Sequence, residues 1–280
     1  MKGVVFPGDR KIQYLDVPDP TPGPLDVVIE MKASGMCGTD LQNYRRPLDQ
    51  PAYMPSLIGR LPIAGHAPYL KVPANTVVTL PDALSFEAGA AIACGTGTAY
   101  QALRRMNLSA ADTIAIFGQG PVGLSATQFA RHECTRDRHR YQRAAARSRT
   151  PAGRRRGLRP VRRRRCRAGH PGADRRAGRR QVPGDFGGGI RAAKTWGTCC
   201  FVGEGGEVRI NVSPELLRRQ MTVMGSWTFS TTGQAECAAF VAAKGIDVGQ
   251  LYTHRWTLDR AEEVYRLFDQ GVGGKGVFLL

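Results

Sequence analysis

The hydrophobic pattern divides the chain into a strand-rich first third and a remainder in which strands alternate with helices. Residues 1–93 contain short β-branched runs separated by Pro and Gly, namely VVFPG, KIQYLDVP, DVVIEMKASG, YLKVP and NTVVTLP. Such runs, bounded by turn residues, are typical of strands. The pattern therefore predicts a compact β domain over this part of the chain.

From Ser85 onward the pattern changes. The segment SFEAGAAIACGTGTAYQALRRMN is rich in small residues and favours helix, with Ser85 as its N-cap. DTIAIFGQG and TCCFVGEGG read as buried strands that enter glycine turns, and SPELLRRQMTVMGSW reads as a helix followed by a strand. PVGLSATQFARH, QAECAAFVAAKG and DRAEEVYRLFDQG have helical periodicity. Strands that alternate with helices predict a parallel α/β sheet.

Three glycines carry the first chemical signal. Gly118, Gly120 and Gly123 form G-x-G-x-x-G between the apolar run TIAIF and a predicted helix. This pattern permits a tight turn, close approach to a pyrophosphate and close packing of helix on strand, so it predicts dinucleotide binding. The alternative is a glycine turn that serves only packing. An acidic residue about 20 positions further on would support binding, but that position falls inside an unusual segment.

That segment is a tract of arginines. Residues 131–185 contain 20 Arg, no Lys and only four acidic residues, so they carry +16 of the formal net charge of +17. A basic patch of this kind can bind a polyanion. Because the charge is confined to one segment and the rest of the chain is nearly neutral, the high isoelectric point says little about the whole protein.

Cysteine usage indicates a reducing compartment. The seven Cys are odd in number and irregularly spaced, which argues against a disulfide framework and for the cytoplasm. No run of about 18 apolar residues predicts a membrane span, and the N-terminal residues lack an apolar signal core. Cys37, in SGMCGTD, and Cys94, in AIACGTGTAYQAL, are candidate zinc ligands. Free Cys is also often a small buried hydrophobic residue.

Four segments together resemble one family. GMCGTD, AIACGTGTAYQAL, IAIFGQGPVGLSATQFA and EVYRLFDQGVGGKGVFLL are similar to the zinc-type alcohol dehydrogenases of the medium-chain dehydrogenase/reductase superfamily. The resemblance implies an α/β architecture with a GroES-like β catalytic domain and a Rossmann doubly wound parallel sheet, disrupted at 131–187. The implied domains are a truncated catalytic domain at 1–93, a dinucleotide-binding domain at 94–235, and C-terminal helices and a strand at 236–280 that return to the catalytic domain.

The resemblance also implies an activity and its residues. The activity is hydride transfer between an alcohol and an aldehyde or ketone, with NAD or NADP, in a homo-oligomer that binds a small-molecule substrate. Cys37 and Cys94 match zinc ligands, Thr39 matches the hydroxyl that begins a proton relay, and Asp40 supports the zinc site. The cofactor would be held by Gly118, Gly120, Pro121, Val122, Gly123, Val202 and Gly203. Lys275 matches the closing motif and has no chemistry assigned to it.

The chain departs from the family in two places within the β domain. The family has a ligand His after a Gly, whereas here Gly59 is followed by Arg60. The lobe that carries a four-cysteine structural zinc site is missing, since the chain contains no C-x₂-C. His66 is a possible substitute ligand, although its position before a strand-like run favours a place in a turn. Two Cys alone make an incomplete zinc site.

The arginine tract is the third departure. Arg is encoded by CGN, so a one-base shift turns Arg runs into Ala, Val, Asp, Gly and Glu. In the shifted frame, residues 135–142 can encode a hydrophobic strand that ends in Asp, where an acid for the ribose 2′-OH is expected. That Asp would favour NAD. We therefore interpret the chain as an alcohol dehydrogenase copy with an internal deletion and a compensated frameshift, and we expect residues 131–185 to be poorly packed and activity to be impaired.

Two other interpretations remain. In the first, the arginine tract is a nucleic-acid-binding insert on a dehydrogenase scaffold. Tyr141 is its only aromatic residue, and the tract interrupts a predicted sheet instead of extending a terminus, so we expect no specific nucleic acid. In the second, the chain is a zinc-free oxidoreductase similar to quinone reductases, which Cys37 and Cys94 in zinc-type contexts disfavour.

Overall fold

The computed structural model describes residues 1–51, 65–109, 112–133, 187–271 and 274–280. The segment in which the ligand His is expected and nearly all of the arginine tract lie outside these residues. The strands are β1 (Lys2–Gly8), β2 (Lys11–Asp16), β3 (Asp26–Glu30), β4 (Ala33–Gly35), β5 (Tyr69–Pro73), β6 (Thr198–Phe201), β7 (Thr222–Gly225), β8 (Tyr252–Trp256) and β9 (Lys275–Leu279). The α-helices are α1 (Asp40–Arg45), α2 (Phe86–Ala91), α3 (Gly97–Arg105), α4 (Pro121–Glu133), α5 (Gly188–Ala192), α6 (Val212–Glu215), α7 (Thr231–Lys244) and α8 (Ala261–Asp269).

The strands of the first third form small antiparallel pairs. β1 and β2 make a hairpin whose two turn residues, Asp9 and Arg10, both have positive φ, as a tight hairpin turn requires. β3 pairs antiparallel with β5. β9, at the end of the chain, lies between β4 and β8, antiparallel to the first and parallel to the second. The last strand of the chain thus pairs with a strand from its first third.

An aromatic core fills this part of the molecule. Phe6 of β1, Tyr265 of α8 and Phe278 of β9 are fully buried. The Tyr265 ring meets Phe6 edge-on with 4.9 Å between centroids. The amphipathic pattern of DRAEEVYRLFDQG explains this, because one face of α8 places Ala261, Val264 and Tyr265 inside. The core therefore joins segments from both ends of the sequence.

A second core is mainly helical and supports the predicted nucleotide region. Tyr100 of α3, Phe129 of α4 and Val241 of α7 pack in one buried cluster. Ser85 caps α2 by accepting a hydrogen bond from the Ala88 N–H at 3.1 Å, as predicted. α7 ends at Gly245, which has φ of 57° in the left-handed region.

The parallel sheet is small in the described part of the chain. β6 and β7 pair in parallel from Thr198↔Thr222 to Phe201↔Gly225. The run TIAIF, predicted as a buried strand, forms only a bridge at Ala115, and Phe117 is half exposed. In a doubly wound sheet this strand would pair with the strand after α4, and that position lies in the arginine tract, outside the described residues.

One strand prediction is wrong. NTVVTLP forms no strand; Ala74–Thr76 is instead a 3₁₀ turn directly after β5. Thr76 closes the turn by donating its hydroxyl hydrogen to the Pro73 carbonyl at 2.7 Å. β-branched residues favour a strand only where a neighbouring strand is available to pair. Among the helices that the structure describes, none is long and apolar enough to cross a membrane.

Candidate active site

Cys94 lies at a break in a helix. The chain runs from α2 through a π-helical segment, Ile92–Thr96, into α3, and Cys94 within it has non-helical dihedrals, φ −140° and ψ −117°. The small residues, which were predicted to form helices, form two helices with a kink between them. Such π segments are frequent at functional sites. The kink places the Cys94 side chain beside Cys37.

Cys37 and Cys94 lie next to each other. Their thiols share a hydrogen bond, which lowers the pKa of Cys37 to about 6. The same bond, together with burial, raises the pKa of Cys94. The arrangement is that of one thiolate accepting a hydrogen bond from one thiol, which makes the first sulfur a good nucleophile or metal ligand. Thr39 Oγ1 lies 3.6 Å from Cys37 Sγ.

Asp40 supports the loop that carries Cys37. Its Oδ2 atom accepts a hydrogen bond from the Cys37 backbone N–H at 2.7 Å and another from the Tyr265 hydroxyl at 3.0 Å. Burial and the neighbouring Asp40 carboxylate raise the pKa of Tyr265, which keeps that phenol protonated and able to donate. The aromatic core thus fixes the position of the cysteine loop.

His66 belongs to this supporting network and not to a metal site. Its Nε2 atom lies 2.6 Å from the Tyr265 hydroxyl, and its Nδ1 atom lies 2.7 Å from Ser34 Oγ. The side chain is 1% exposed. It stands in an irregular segment just before β5, which agrees with the predicted turn. Because both ring nitrogens have partners, His66 offers no free donor to a zinc ion near Cys37.

The donors present do not fit the zinc site that the resemblance implies. A catalytic zinc needs three protein ligands, and in the described ranges no three His, Cys, Asp or Glu side chains converge in a way that could hold a metal ion. Residues 52–64, which separate the first two described ranges, contain none of these four residue types. Among the described residues, the pair Cys37 and Cys94 therefore has no third ligand.

The glycine turn has the geometry that its motif predicts. Gly118 has φ of +84°, in the left-handed region, and a Cβ on Gly123 would lie 1.9 Å from the Gly118 carbonyl oxygen. Gly120 has open space around its Cβ position, next to the N-terminus of α4. Gly118 and Gly123 are thus needed for the turn itself, whereas Gly120 leaves room for a ligand. A helix N-terminus of this kind favours a phosphate group.

The cysteine site and the glycine turn are direct neighbours. A Cβ on Gly95, the residue after Cys94, would lie 3.3 Å from Val122 Cγ2 and 3.6 Å from Pro121 Cβ. The hydroxyls of Thr96 and Ser125 are 3.0 Å apart and buried, which ties the kinked segment to α4. The predicted cofactor residues Pro121 and Val122 therefore stand against the segment that carries a predicted metal ligand.

The loop after β6 contacts α1 through Glu204. Val202 is partly buried and Gly203 is exposed, with open space at its Cβ position. Glu204 accepts hydrogen bonds from Gln42 of α1 at 2.8 Å and from the Trp227 indole at 2.5 Å. The loop predicted to lie near the nicotinamide is thus connected to the helix that follows Thr39.

Several side chains around the site have no role that a sequence motif predicts. Ser34, His66 and Tyr265 form the supporting network. Lys275 is 3% exposed and lies with its ammonium 5.5 Å from the centre of the Tyr252 ring. These residues come from segments far apart in the sequence, so spacing gives no sign of them. The one available signal is the amphipathic face of α8, which predicts that Tyr265 is buried but not what it touches.

Comparisons with known proteins support the fold. No family model matches the chain. An uncharacterized zinc-type alcohol dehydrogenase-like protein, YphC of Escherichia coli (strain K12), is 26% identical over 351 residues, which span 99% of this chain and 98% of that protein. Because the aligned length exceeds the 280 residues of this chain, the chain lacks segments that the relative has.

Solved structures give the same fold. An alcohol dehydrogenase from Escherichia coli CFT073, complexed with NADH, superposes with a TM-score of 0.71 at 14% identity, covering 100% of this chain and 99% of that chain. A quinone oxidoreductase from Thermus thermophilus, also solved with NADPH, gives a TM-score of 0.63 at 19% identity, covering 100% of both chains. The fold is a GroES-like β domain combined with a Rossmann domain.

The fold and the full-length relative show what kind of protein the chain resembles. The chain is similar over 99% of its length to an alcohol dehydrogenase-like protein, and it has the fold of the alcohol dehydrogenase solved with NADH.

Proposed function

We propose that this protein is a nicotinamide-dinucleotide-dependent oxidoreductase that transfers hydride between an alcohol and the corresponding carbonyl compound. The observation that carries the proposal is the contact between Gly95 and Val122, which sets the cysteine site beside the glycine turn. A cofactor whose pyrophosphate lies on that turn would extend toward Cys37 and Cys94. Proximity of this kind is the main contribution that a protein makes to cofactor-driven hydride transfer.

The residues would divide the work between binding and proton transfer. Gly120 and the N-terminus of α4 would hold the pyrophosphate, and Val202 and Gly203 would lie near the nicotinamide. A bound nicotinamide would accept hydride from the alcohol carbon, and the hydroxyl proton would leave separately. Thr39, whose hydroxyl lies 3.6 Å from Cys37 Sγ, would relay that proton: it would accept it from the substrate hydroxyl and pass its own hydroxyl proton on to water. Asp40 holds the Cys37 loop in place through its 2.7 Å hydrogen bond.

Zinc dependence is the part of the family pattern that these residues support least. A zinc ion would polarise the substrate oxygen as a Lewis acid, but Cys37 and Cys94 provide only two of the three ligands it needs. We therefore derive no step through zinc. Without that charge stabilisation we expect slow turnover, since electrostatic stabilisation supplies a large share of the rate.

The same proposal includes a reducing cytoplasmic location. Its support is that the five described cysteines, Cys37, Cys94, Cys199, Cys200 and Cys237, are all free, although Cys37 and Cys94 are neighbours. The homo-oligomer implied by the resemblance stays a prediction.

Cofactor binding is the direct test. We expect NADH or NADPH to bind the full-length protein saturably, as followed by nicotinamide fluorescence. Gly120→Ala should weaken binding by about tenfold, which corresponds to about 1.4 kcal/mol, because the added methyl group occupies the space left for the pyrophosphate. Gly225→Ala is the matched control, since a Cβ there also meets open space, on β7.

The turnover assay follows from the same samples. NADH oxidation with short-chain aldehydes and ketones should be slow and should be the same with added Zn²⁺ or with a chelator. Absence of dinucleotide binding, or equal binding by wild type and Gly120→Ala, would refute the proposed function. A strong increase in rate on adding Zn²⁺ would instead show that a third ligand exists.

A further inference from the structure

A chain of hydrogen bonds runs through the aromatic core, from the backbone of Gly65 to the carboxylate of Asp40. The Ser34 hydroxyl donates to the Gly65 carbonyl at 3.0 Å and lies 2.7 Å from His66 Nδ1. On the other side of the imidazole ring, Nε2 lies 2.6 Å from the Tyr265 hydroxyl, which donates to Asp40 Oδ2 at 3.0 Å. All four contacts are within hydrogen-bond distance, so each of them needs one hydrogen atom.

The number of available hydrogen atoms determines the charge on these side chains. Ser34 and Tyr265 each supply one hydrogen atom, and a neutral imidazole supplies one more, which makes three for the four contacts. With His66 neutral and Asp40 ionised, one contact would therefore bring two lone pairs together in a buried place. A buried polar group that lacks its hydrogen bond is costly. One further proton is therefore needed, either on His66 or on Asp40.

The further proton belongs on His66. Asp40 Oδ2 accepts two hydrogen bonds, one from the Tyr265 hydroxyl and one from the Cys37 backbone N–H at 2.7 Å. If Oδ2 carried the proton, that single oxygen would have to donate to Tyr265 while it accepts from Cys37. An ionised carboxylate acts only as an acceptor, which is the role that Oδ2 has here. Both ring nitrogens of His66 then donate, Nδ1 to Ser34 and Nε2 to Tyr265.

The surroundings stabilise a charged imidazole although it is buried. His66 is 1% exposed, so a positive charge on its ring needs a compensating charge nearby. Asp40 Oδ2 lies 3.9 Å from His66 Nε2, which is within ion-pair distance. The centroid of the Phe278 ring is 4.8 Å from that of the imidazole, and an aromatic face at such a distance attracts a cation.

No other charge competes for this ion pair in the described part of the chain. The remaining neighbours of the imidazole ring are uncharged, namely Phe6 of β1, Ser34 of β4, Tyr265 of α8 and Phe278 of β9. The buried Lys275 ammonium and the Cys37 and Cys94 thiols form no hydrogen bond or ion pair with His66. Lys275 also forms no ion pair with Asp40, so among the described residues His66 is the cation that pairs with Asp40.

We propose that His66 is an imidazolium ion that acts as a positioning residue for Asp40. Through the Tyr265 hydroxyl it keeps the carboxylate ionised and oriented toward the Cys37 N–H. A hydrogen bond to a charged acceptor is stronger than one to a neutral acceptor, so the charge on His66 helps to hold the loop that carries Thr39. The catalytic meaning of this role rests on the proposed function, whereas the charge on His66 can be measured without dinucleotide or turnover.

Nuclear magnetic resonance of full-length protein labelled with ¹⁵N-histidine tests the charge directly. The chain has five histidines, and the His66 ring is identified by its nuclear Overhauser contacts with the Phe278 ring. At neutral pH we expect two slowly exchanging ring N–H protons on His66, because both are buried and hydrogen-bonded. A single ring N–H, with the other nitrogen unprotonated, would overturn the proposal. The measurement uses the unsubstituted protein and so does not depend on how a variant folds.

Hydrogen exchange of the Cys37 backbone N–H tests the positioning role. His66→Gln keeps a polar side chain but cannot carry the charge. It should therefore lower the protection of the Cys37 N–H by about tenfold, as expected when a hydrogen bond to a charged group is weakened. The Ala88 N–H, which donates to the N-cap of α2, should keep its protection.

His254→Gln is the matched control variant, since His254 is exposed and contacts Thr253 instead; it should change neither N–H. Equal loss of protection at Cys37 and Ala88 would mean that His66 contributes only general stability. An unchanged Cys37 N–H in His66→Gln would mean that His66 does not position Asp40, and either result would overturn the proposed role. Neither readout needs a dinucleotide, so both remain decisive if the proposed function fails.

Discussion

The aromatic core and the parallel strand pair differ sharply in how completely they are buried. In the core, Phe6, His66, Tyr265 and Phe278 are each at most 1% exposed. In the strand pair, Val223 of β7 is 39% exposed. Nearby in the nucleotide region, Phe117 is 50% exposed and Trp227 is 56% exposed. The side chains of the aromatic core are fully packed, whereas the strand pair and its neighbours have large apolar side chains that remain exposed.

The difference in burial coincides with the position of the arginine tract. The aromatic core takes its members from β1, the segment before β5, α8 and β9, and these segments keep their family-like pattern. In the described part of the chain, β6 and β7 pair only with each other, and the strand that would join them falls in the arginine tract. Stability should therefore reside mainly in the first region and in the helical core that contacts it.

Truncation of one aromatic residue in each region tests this contrast most strongly. Phe278→Ala should lower the free energy of unfolding by about 3–5 kcal/mol, the usual cost of removing a buried Phe. Phe117→Ala should change it by no more than about 0.5 kcal/mol, as for exposed positions. Urea denaturation followed by circular dichroism measures both.

Either of two outcomes would contradict this contrast between the two regions. A Phe117→Ala cost comparable to that of Phe278→Ala would mean that the nucleotide region is covered in solution, for instance by the arginine tract. A small cost for Phe278→Ala would mean that the aromatic core does not hold the fold together.

The same contrast explains what the sequence predicts and what it does not. Ser85 as a helix cap, the α4 helix after the glycine turn and the strands β6 and β7 depend on local pattern, and the structure contains them. NTVVTLP also has the local pattern of a strand but forms none. Strand formation needs a neighbour, and no local pattern shows whether one is present.

The residues of the candidate site likewise divide into those that a local motif predicts and those whose positions depend on the whole fold. The glycine turn is local, so its geometry follows from the motif. Cys37 and Cys94 were paired only by the resemblance, and neither the helix kink at Cys94 nor the contact between Gly95 and Val122 has a local signal. Tyr265 is 225 residues from Asp40, to which it donates a hydrogen bond. Pairings over such distances depend on the whole fold.

Two buried tyrosines differ in whether their hydroxyl groups have hydrogen-bond partners. Tyr265 donates to Asp40 and contacts His66, whereas the Tyr252 hydroxyl is buried against Gly35 with no hydrogen-bond partner in the described structure. Tyr265→Phe should therefore cost about 1–3 kcal/mol, because it leaves buried partners unsatisfied. Tyr252→Phe should be neutral or slightly stabilising, since it removes a hydroxyl that lacks a partner.

Thermal and urea unfolding of Tyr265→Phe and Tyr252→Phe measure how much each substitution changes the free energy of unfolding. Equal costs would show that the Tyr252 hydroxyl does bond in solution, for instance to a water molecule. If Tyr265→Phe leaves the free energy of unfolding unchanged, the hydrogen bond from Tyr265 to Asp40 does not stabilise the protein. Any effect of that hydrogen bond on the Cys37 loop would then have to be measured through metal or dinucleotide binding.

The smallest expected effect is an acid dependence of the first region. Arg45 and then Arg10 donate hydrogen bonds to Asp269, and they lower its pKa. A carboxylate whose pKa is lowered by folding stabilises the protein above its unfolded pKa, and this contribution is lost as pH falls through the lowered folded value.

Asp269→Asn should thus cost about 0.5 kcal/mol at neutral pH, because both arginines are largely exposed. The cost should shrink below about pH 4 and vanish at still lower pH. Urea unfolding across this range, with the exposed Asp259→Asn as control, measures it. A cost that stays constant as the pH falls would mean that the Asp269 carboxylate contributes no charge pairing, and that packing alone joins α8 to the β1–β2 hairpin.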